Sequence, residues 1–293
     1  MKQISEKIRK LLLEMQLNEI TEYYVYMAIA KGIKDEKNKS ILESIAKDEK
    51  AHSELWKKYT LEDVKPSQIK IVFYKVLNKI FGYTFTLKLM ENKEGDATQI
   101  YKDIELEVPE ASRISNDEND HEKALIDMLD EERLQYVGSM VLGLNDALVE
   151  LTGTLAGLTF AMQNTKLVAL SGLVTGISAT LSMMSSEYLS SRSREGDTNS
   201  LKSAGYTGIM YIVAVVLMVM PYLIFPTKQY VPALICLLII VILVIFVFTY
   251  YVSVAKDLPF KKRFLEMASI SMGVAVISFL IGLVVKKFLG ISV

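Results

Sequence analysis

One cysteine, Cys236, stands in the whole chain, inside the apolar run LICLLII. It excludes an intrachain disulfide framework, a Cys₄ zinc site and a cysteine-ligated iron–sulfur cluster. Histidine is almost as scarce, with only His52 and His121. Neither sign of charge is in excess: 33 Lys and Arg face 34 Asp and Glu, for a net charge of −1. No global field therefore favours nucleic acid or an acidic partner. The stretch MKQISEKIRKLLLEMQ at the N-terminus spreads its charges throughout and has no apolar core of the kind a cleaved signal peptide needs.

What the chain does have is unevenly shared. Residues 1–132 hold most of the charge, and residues 133–293 hold the long apolar runs. The shift predicts two domains that meet near Arg133. In the first, Ile4, Ile8, Leu11, Leu12, Met15 and Ile20 recur at close to helical period, which predicts a helix over 3–31. A turn follows, then a second helix over 40–59. Pro66 separates it from a long third helix, Ser67 to Leu106, and Pro109 precedes a fourth that reaches Glu132. Four helices with short connections predict an all-α bundle.

Each histidine lies three residues after a glutamate, Glu49 before His52 and Glu118 before His121. That spacing puts both side chains of a pair on one helix face. The other two helices offer Glu19, seven residues before Tyr26, and Glu94, seven residues before Tyr101. The pattern therefore occurs twice, as a weak internal duplication. One Glu from each of two helices, with Glu-x-x-His from each of the other two, is the ligand set of a carboxylate-bridged di-metal bundle. Glu19 and Glu49 lie about equally far from the turn near residues 34–35, so an antiparallel hairpin sets them at one height. The bland alternatives are solvated surface glutamates and, for Ser115 to Glu118, a helix-capping box. The conjunction of both histidines with four matching glutamates favours the metal site.

This half resembles the rubrerythrin and ferritin-like superfamily over about residues 5–130. Asn18-Glu19 with Tyr26, Ile45 to His52, Met90 to Glu94 with Tyr101, and Glu118 with His121 carry the likeness. The resemblance implies that Glu19, Glu49, His52, Glu94, Glu118 and His121 ligate a di-iron centre (Fe²⁺/Fe³⁺), with Mn²⁺ or Zn²⁺ as alternatives. Glu91 resembles the extra carboxylate of rubrerythrins. No rubredoxin-type cysteine pairs are present, which weakens a peroxidase role.

Five apolar segments follow, at about 136–162, 166–189, 203–225, 230–252 and 264–286. Each is long enough to span a bilayer. Arg192, Arg194, Lys202, Lys256, Lys261, Lys262 and Arg263 crowd the second and fourth connections. Only Lys166, Lys228, Lys286 and Lys287 fall on the other side. The bias places the second and fourth connections, and with them the N-terminal domain, in the cytoplasm. Asp146 and Glu150 lie one turn apart inside the first span, and Glu187 lies near the cytoplasmic end of the second. A carboxylate at the centre of a span costs roughly 2.5–3.5 kcal/mol, so a pair on one face points to a cation or proton path. Gly143, Gly153, Gly157, Gly172, Gly176 and Ser178 let helices approach closely, which predicts that the first two spans form the packed functional core. Near such a carboxylate, the thioether of Met183 favours a transition metal.

Gly143 to Val149 and Ser182 to Ser190 resemble the first- and second-span motifs of the vacuolar iron transporter family. The likeness covers residues 134–293. It implies that Asp146, Met183 and Glu187 line an ion path in a homodimer that exchanges Fe²⁺ or Mn²⁺ for protons; Glu150 joins that path by sharing a helix face with Asp146. The Glu-rich insertion that plant members carry between spans two and three is absent here. The expectation is a multi-pass iron or manganese exporter in a prokaryotic cell membrane, with a cytoplasmic di-iron domain, binding metal ions, protons and lipid but no nucleic acid. The rival is a membrane-tethered ferroxidase or peroxidase.

Overall fold

The structure, a computed structural model, describes residues 4–91, 101, 104–128, 136–193 and 199–289. They form ten helices and, among the described residues, no strand. The chain divides into two compact units, Met1–Glu131 and Glu132–Val293.

The first unit holds α1 (Glu6–Ala30), α2 (Glu36–Thr60), α3 (Gln68–Phe81), α4 (Tyr83–Glu91) and α5 (Ala111–Asp127). Three helices begin on a side-chain cap. Ser5 accepts from Ile8 N, Asp35 from Asn38 N and Ser67 from Lys70 N. Each cap satisfies one of the amide groups that a helix start leaves without a partner. The Asp35 cap starts α2 four residues before the position that hydrophobic periodicity predicts.

The third helix is not continuous from Ser67 to Leu106. It stops at Gly82, where φ is 93° and ψ is 169°, a conformation that side-chain-bearing residues avoid. The Gly82 amide still donates to Asn78 O, and α4 restarts at the next residue. The capping-box alternative also fails, because Ser115 and Glu118 lie in the body of α5. The core of this unit joins Ile8 and Leu12 of α1, Trp56 of α2, and Tyr101, Ile104, Val108, Ala111 and Ile114.

The second unit holds α6 (Val137–Met162), α7 (Thr165–Ser193), α8 (Ser200–Ile224), α9 (Tyr230–Lys256) and α10 (Phe260–Leu289). All five are long and apolar enough to cross a membrane. The helix α6 packs against each of the other four. Its small residues explain two of these contacts. A methyl group at Gly143 would fall on the Thr207 carbonyl of α8, and one at Gly153 would meet Ser278 of α10. Gly157 and Gly282 bring the α6 and α10 backbones together. The glycines of α7 accommodate Leu155, Val215 and Val219. The glycines of the first span thus approach the third and fifth spans, while Gly172 of the second span lies against Leu155 of the first. The reason is that Gly143, Gly153 and Gly157 lie on faces that α8 and α10 occupy.

Candidate metal centre and membrane carboxylates

Helices α1, α2 and α5 bring Glu19, Glu49, His52, Glu118 and His121 to one place. One ligand atom from each of Glu19, Glu49, His52 and Glu118 lies within 4.8 Å of the others. His52 Nδ1 is 3.2 Å from Glu118 Oε1, 3.5 Å from Glu19 Oε2 and 3.8 Å from Glu49 Oε2. His121 Nδ1 is 3.2 Å from Glu49 Oε1 and 3.7 Å from Glu118 Oε2. Glu49 and Glu118 therefore each place one oxygen beside each histidine. The imidazole rings are 5.9 Å apart, centroid to centroid.

The outer nitrogens are held crosswise. His52 of α2 sets Nε2 3.3 Å from Asp117 of α5, and His121 of α5 sets Nε2 3.3 Å from Asp48 of α2. This leaves Nδ1 of each ring as the inward atom. A carboxylate on the far nitrogen orients a metal-ligating histidine and raises its basicity. Glu19 is fixed on its other oxygen by the indole N–H of fully buried Trp56, at 3.2 Å.

The fit of this site to a metal can be tested on its unpartnered atoms. Among the described residues, Glu19 Oε2, Glu49 Oε2, His52 Nδ1, Glu118 Oε1 and His121 Nδ1 are buried with no hydrogen-bond partner. A buried polar atom without a partner is costly. Five that converge, all oxygen or imidazole nitrogen, fit a borderline divalent cation. Without a metal, protons neutralise the cluster. Burial opposes the charge on His121, but the Glu118 and Glu49 carboxylates push it up to about 10. His52 is raised in the same way, against its burial, by Glu118, Glu19 and Glu49. Burial, then the neighbouring Glu49, lifts Glu19 well above the ordinary carboxylate range. Glu118 goes the other way: burial opposes its charge, yet the two imidazoles hold it low.

Of the remaining candidates, Glu91 closes α4, and Glu94 lies outside the described residues. Sequence reasoning missed Asp48, Asp117 and Trp56. The aspartates did leave a signal, since both motifs read Asp-Glu-x-x-His. Nothing in the sequence marked Trp56.

In the second unit, the four candidates separate into distinct settings. Asp146 is half-buried and lines a groove of about 690 Å³ between α6, α9 and α10, with Asn145, Thr249, Met267, Lys256 and Arg263 among its walls. Glu150 is exposed, and the buried Tyr211 hydroxyl of α8 donates to it at 2.9 Å. Glu187 is buried and accepts from Ser139 Oγ at 2.9 Å and Ser191 Oγ at 3.1 Å. Ser139 precedes Asp146 by roughly 10 Å along α6, so Asp146 and Glu187 sit at different depths. Met183 is half-buried on α7, and it is its neighbour Met184 whose sulfur packs on Gly208. Tyr211 and Ser139 were also missed, because an aromatic or a serine inside an apolar run carries no periodic signal.

A search of curated proteins and a search of solved structures each found no match. A family model described as the VIT family matches residues 137–200 and 192–283. Those two stretches run together over half of the chain, from the start of α6 into α10, and take in all five apolar helices. The chain therefore belongs to the VIT family, consistent with the vacuolar iron transporter family that its first two spans resemble, and is a multi-pass membrane protein of a metal-ion transporter family.

Proposed function

We propose that the chain exports Fe²⁺ or Mn²⁺ from the cytosol in exchange for protons, and that residues 1–132 form a ferritin-like di-metal domain that captures the cation. The observation that carries this reading is the set of five buried, unpartnered donor atoms in a chain whose other half is a transporter. Glu19, Glu49, His52, Glu118 and His121 hold the metal, with Glu91 and Glu94 as further ligands. Glu49 and Glu118, each with one oxygen beside either histidine, would hold metal at both rings. With iron bound, the centre supplies one-electron oxidation chemistry.

In the membrane, Asp146, Glu150, Met183 and Glu187 form the path. A carboxylate binds a cation when ionised and releases it when protonated, which is the minimal chemistry of antiport. The exposure of Glu150 on a membrane-spanning helix supports a homodimer, since an acidic side chain facing lipid is costly. The excess of Lys and Arg in the second and fourth connections supports a cytoplasmic N-terminal domain; the membrane we propose is the cell membrane of a prokaryote.

The test is Fe²⁺ transport into proteoliposomes across a pH gradient. Asp146→Asn keeps the size of the side chain and removes its charge. The variant should insert and fold, retain metal in the first domain, and lose transport. Transport at the wild-type rate would rule out the path and move the membrane-tethered ferroxidase to first place.

A further inference from the structure

Helix α3 presents an apolar face that the described residues of its own unit leave exposed. Ile69, Val72, Phe73, Val76 and Ile80 are exposed by 85%, 57%, 49%, 50% and 59%. At 3.6 residues per turn they share one stripe roughly 100° wide. The opposite face, with Ile71 and Tyr74, is buried and packs toward α1. The helix is thus apolar on two faces, and the described residues bury only one. A contiguous exposed apolar patch of this kind marks an interaction surface.

The borders of the stripe say what kind. Lys70 lies roughly 100° to one side of its centre, and Lys79 roughly 80° to the other, with Lys75 beyond it. Lys70 Nζ also donates to Asn18 at 2.9 Å, while Lys75 and Lys79 are exposed with no acidic neighbour on α3. From Val64 to Met90 the sequence has Lys65, Lys70, Lys75, Lys79 and Lys88 and no Asp or Glu. In a chain of balanced overall charge, this is a local basic stretch. Apolar side chains flanked by lysines form the pattern of a helix that lies in a membrane interface. Lysines near an anionic leaflet each add about 1 kcal/mol of attraction, about fivefold in partition. The five spans of the same chain hold this unit near a bilayer, so a modest affinity suffices.

We propose that the exposed face of α3 docks on the anionic leaflet of the membrane the chain spans. Lipid acyl chains receive Val72, Phe73 and Val76, and lipid phosphates meet Lys75 and Lys79. The inference is independent of which metal is carried and of whether the chain transports it.

The test uses the full chain with Cys236→Ala, which leaves Val76→Cys as the one thiol. An environment-sensitive fluorophore on that thiol is read in nanodiscs of phosphatidylcholine, with or without one-third phosphatidylglycerol, and with brominated acyl chains as quencher. Ser44→Cys on α2, an exposed position, is the reference. Blue shift and quenching at position 76, in the anionic discs only, are expected. High salt should weaken both. The pair Lys75→Glu and Lys79→Glu should reduce the docking equilibrium constant by about twenty-five-fold or more, with retained metal content as the check on folding. Quenching no greater than at position 44 overturns the proposal, as does equal quenching in neutral and anionic discs. A disulfide between two copies through position 76 also overturns it, by assigning the face to a second copy of the chain.

Discussion

Loading the metal-free protein should expel protons, and their number can be worked out from the cluster. His121 is pushed up to about 10, so at pH 7 it carries a proton that a ligating imidazole must lose. Three pH units at 1.36 kcal/mol each make that loss cost about 4 kcal/mol. His52, raised by three carboxylates, adds a second proton with a cost of the same sign. Metal binding must offset both. Apparent affinity should therefore climb with pH, by about tenfold per unit for each histidine deprotonated, until pH passes the folded values. The assay is calorimetric titration of the full-length metal-free protein with Mn²⁺ under argon, in buffers of different ionisation enthalpy. The slope of observed enthalpy against buffer enthalpy counts protons. We expect about two released per cluster filled at pH 7 from the histidines, and a further contribution from Glu19, whose carboxyl burial and Glu49 push up. A count of zero, with affinity flat between pH 6 and 8, would refute the reasoning, because neutral histidines would then face the carboxylates before any metal arrives.

The same titrations set the stability of the metal-free protein. A histidine whose folded value lies above its unfolded value near 6.5 stabilises fully below that value, and the contribution is lost as pH rises through about 10. The metal-free protein should thus melt lower at pH 10 than at pH 6.5, and bound metal should shrink the difference. Trp56→Phe removes the donor to Glu19 while keeping an aromatic ring in the core. By loss of a buried hydrogen bond to a carboxyl it should destabilise the metal-bound protein by about 1.5–3 kcal/mol, read from the melting temperature. Gly143→Ala puts a methyl group on the Thr207 backbone, which has no rotamer to yield. It should cost about 1–3 kcal/mol and lower the recovery of folded protein in mild detergent, whereas Gly138→Ala, where nothing lies within 4 Å, should not. Glu49→Ala with His52→Ala should remove at least one of two metal equivalents measured after anaerobic loading.

The five apolar helices and the helical character of the first unit were legible because hydrophobic runs and 3.6-residue periodicity are local signals. The approach of Glu19 to Glu49 was legible for a similar reason: equal distance from one turn fixes relative height on an antiparallel pair, whereas Glu118 lies close after its own connection and spacing did not set its height. The break at Gly82 was not read, because a single glycine inside a helical pattern is usually tolerated, and only the backbone angles show that this one turns the chain. The partners of the glycines in α6 were also out of reach. Spacing says that a face is small, but not which of four neighbouring helices fills it. Tyr211 and Trp56 are large aromatics that burial alone would explain, and their polar tips matter only once Glu150 and Glu19 are seen beside them.

The crosswise pairs have a consequence for how the first unit can change. Asp48 serves the histidine of α5, and Asp117 serves the histidine of α2. Neither Asp-Glu-x-x-His motif is complete within its own helix. Replacing one aspartate alone would leave the opposite ring free to turn its wrong nitrogen inward. The two copies of the motif are therefore not spares for each other. Position 48 is tied to the histidine at 121, and position 117 to the one at 52, so that two halves which look like independent repeats are constrained together.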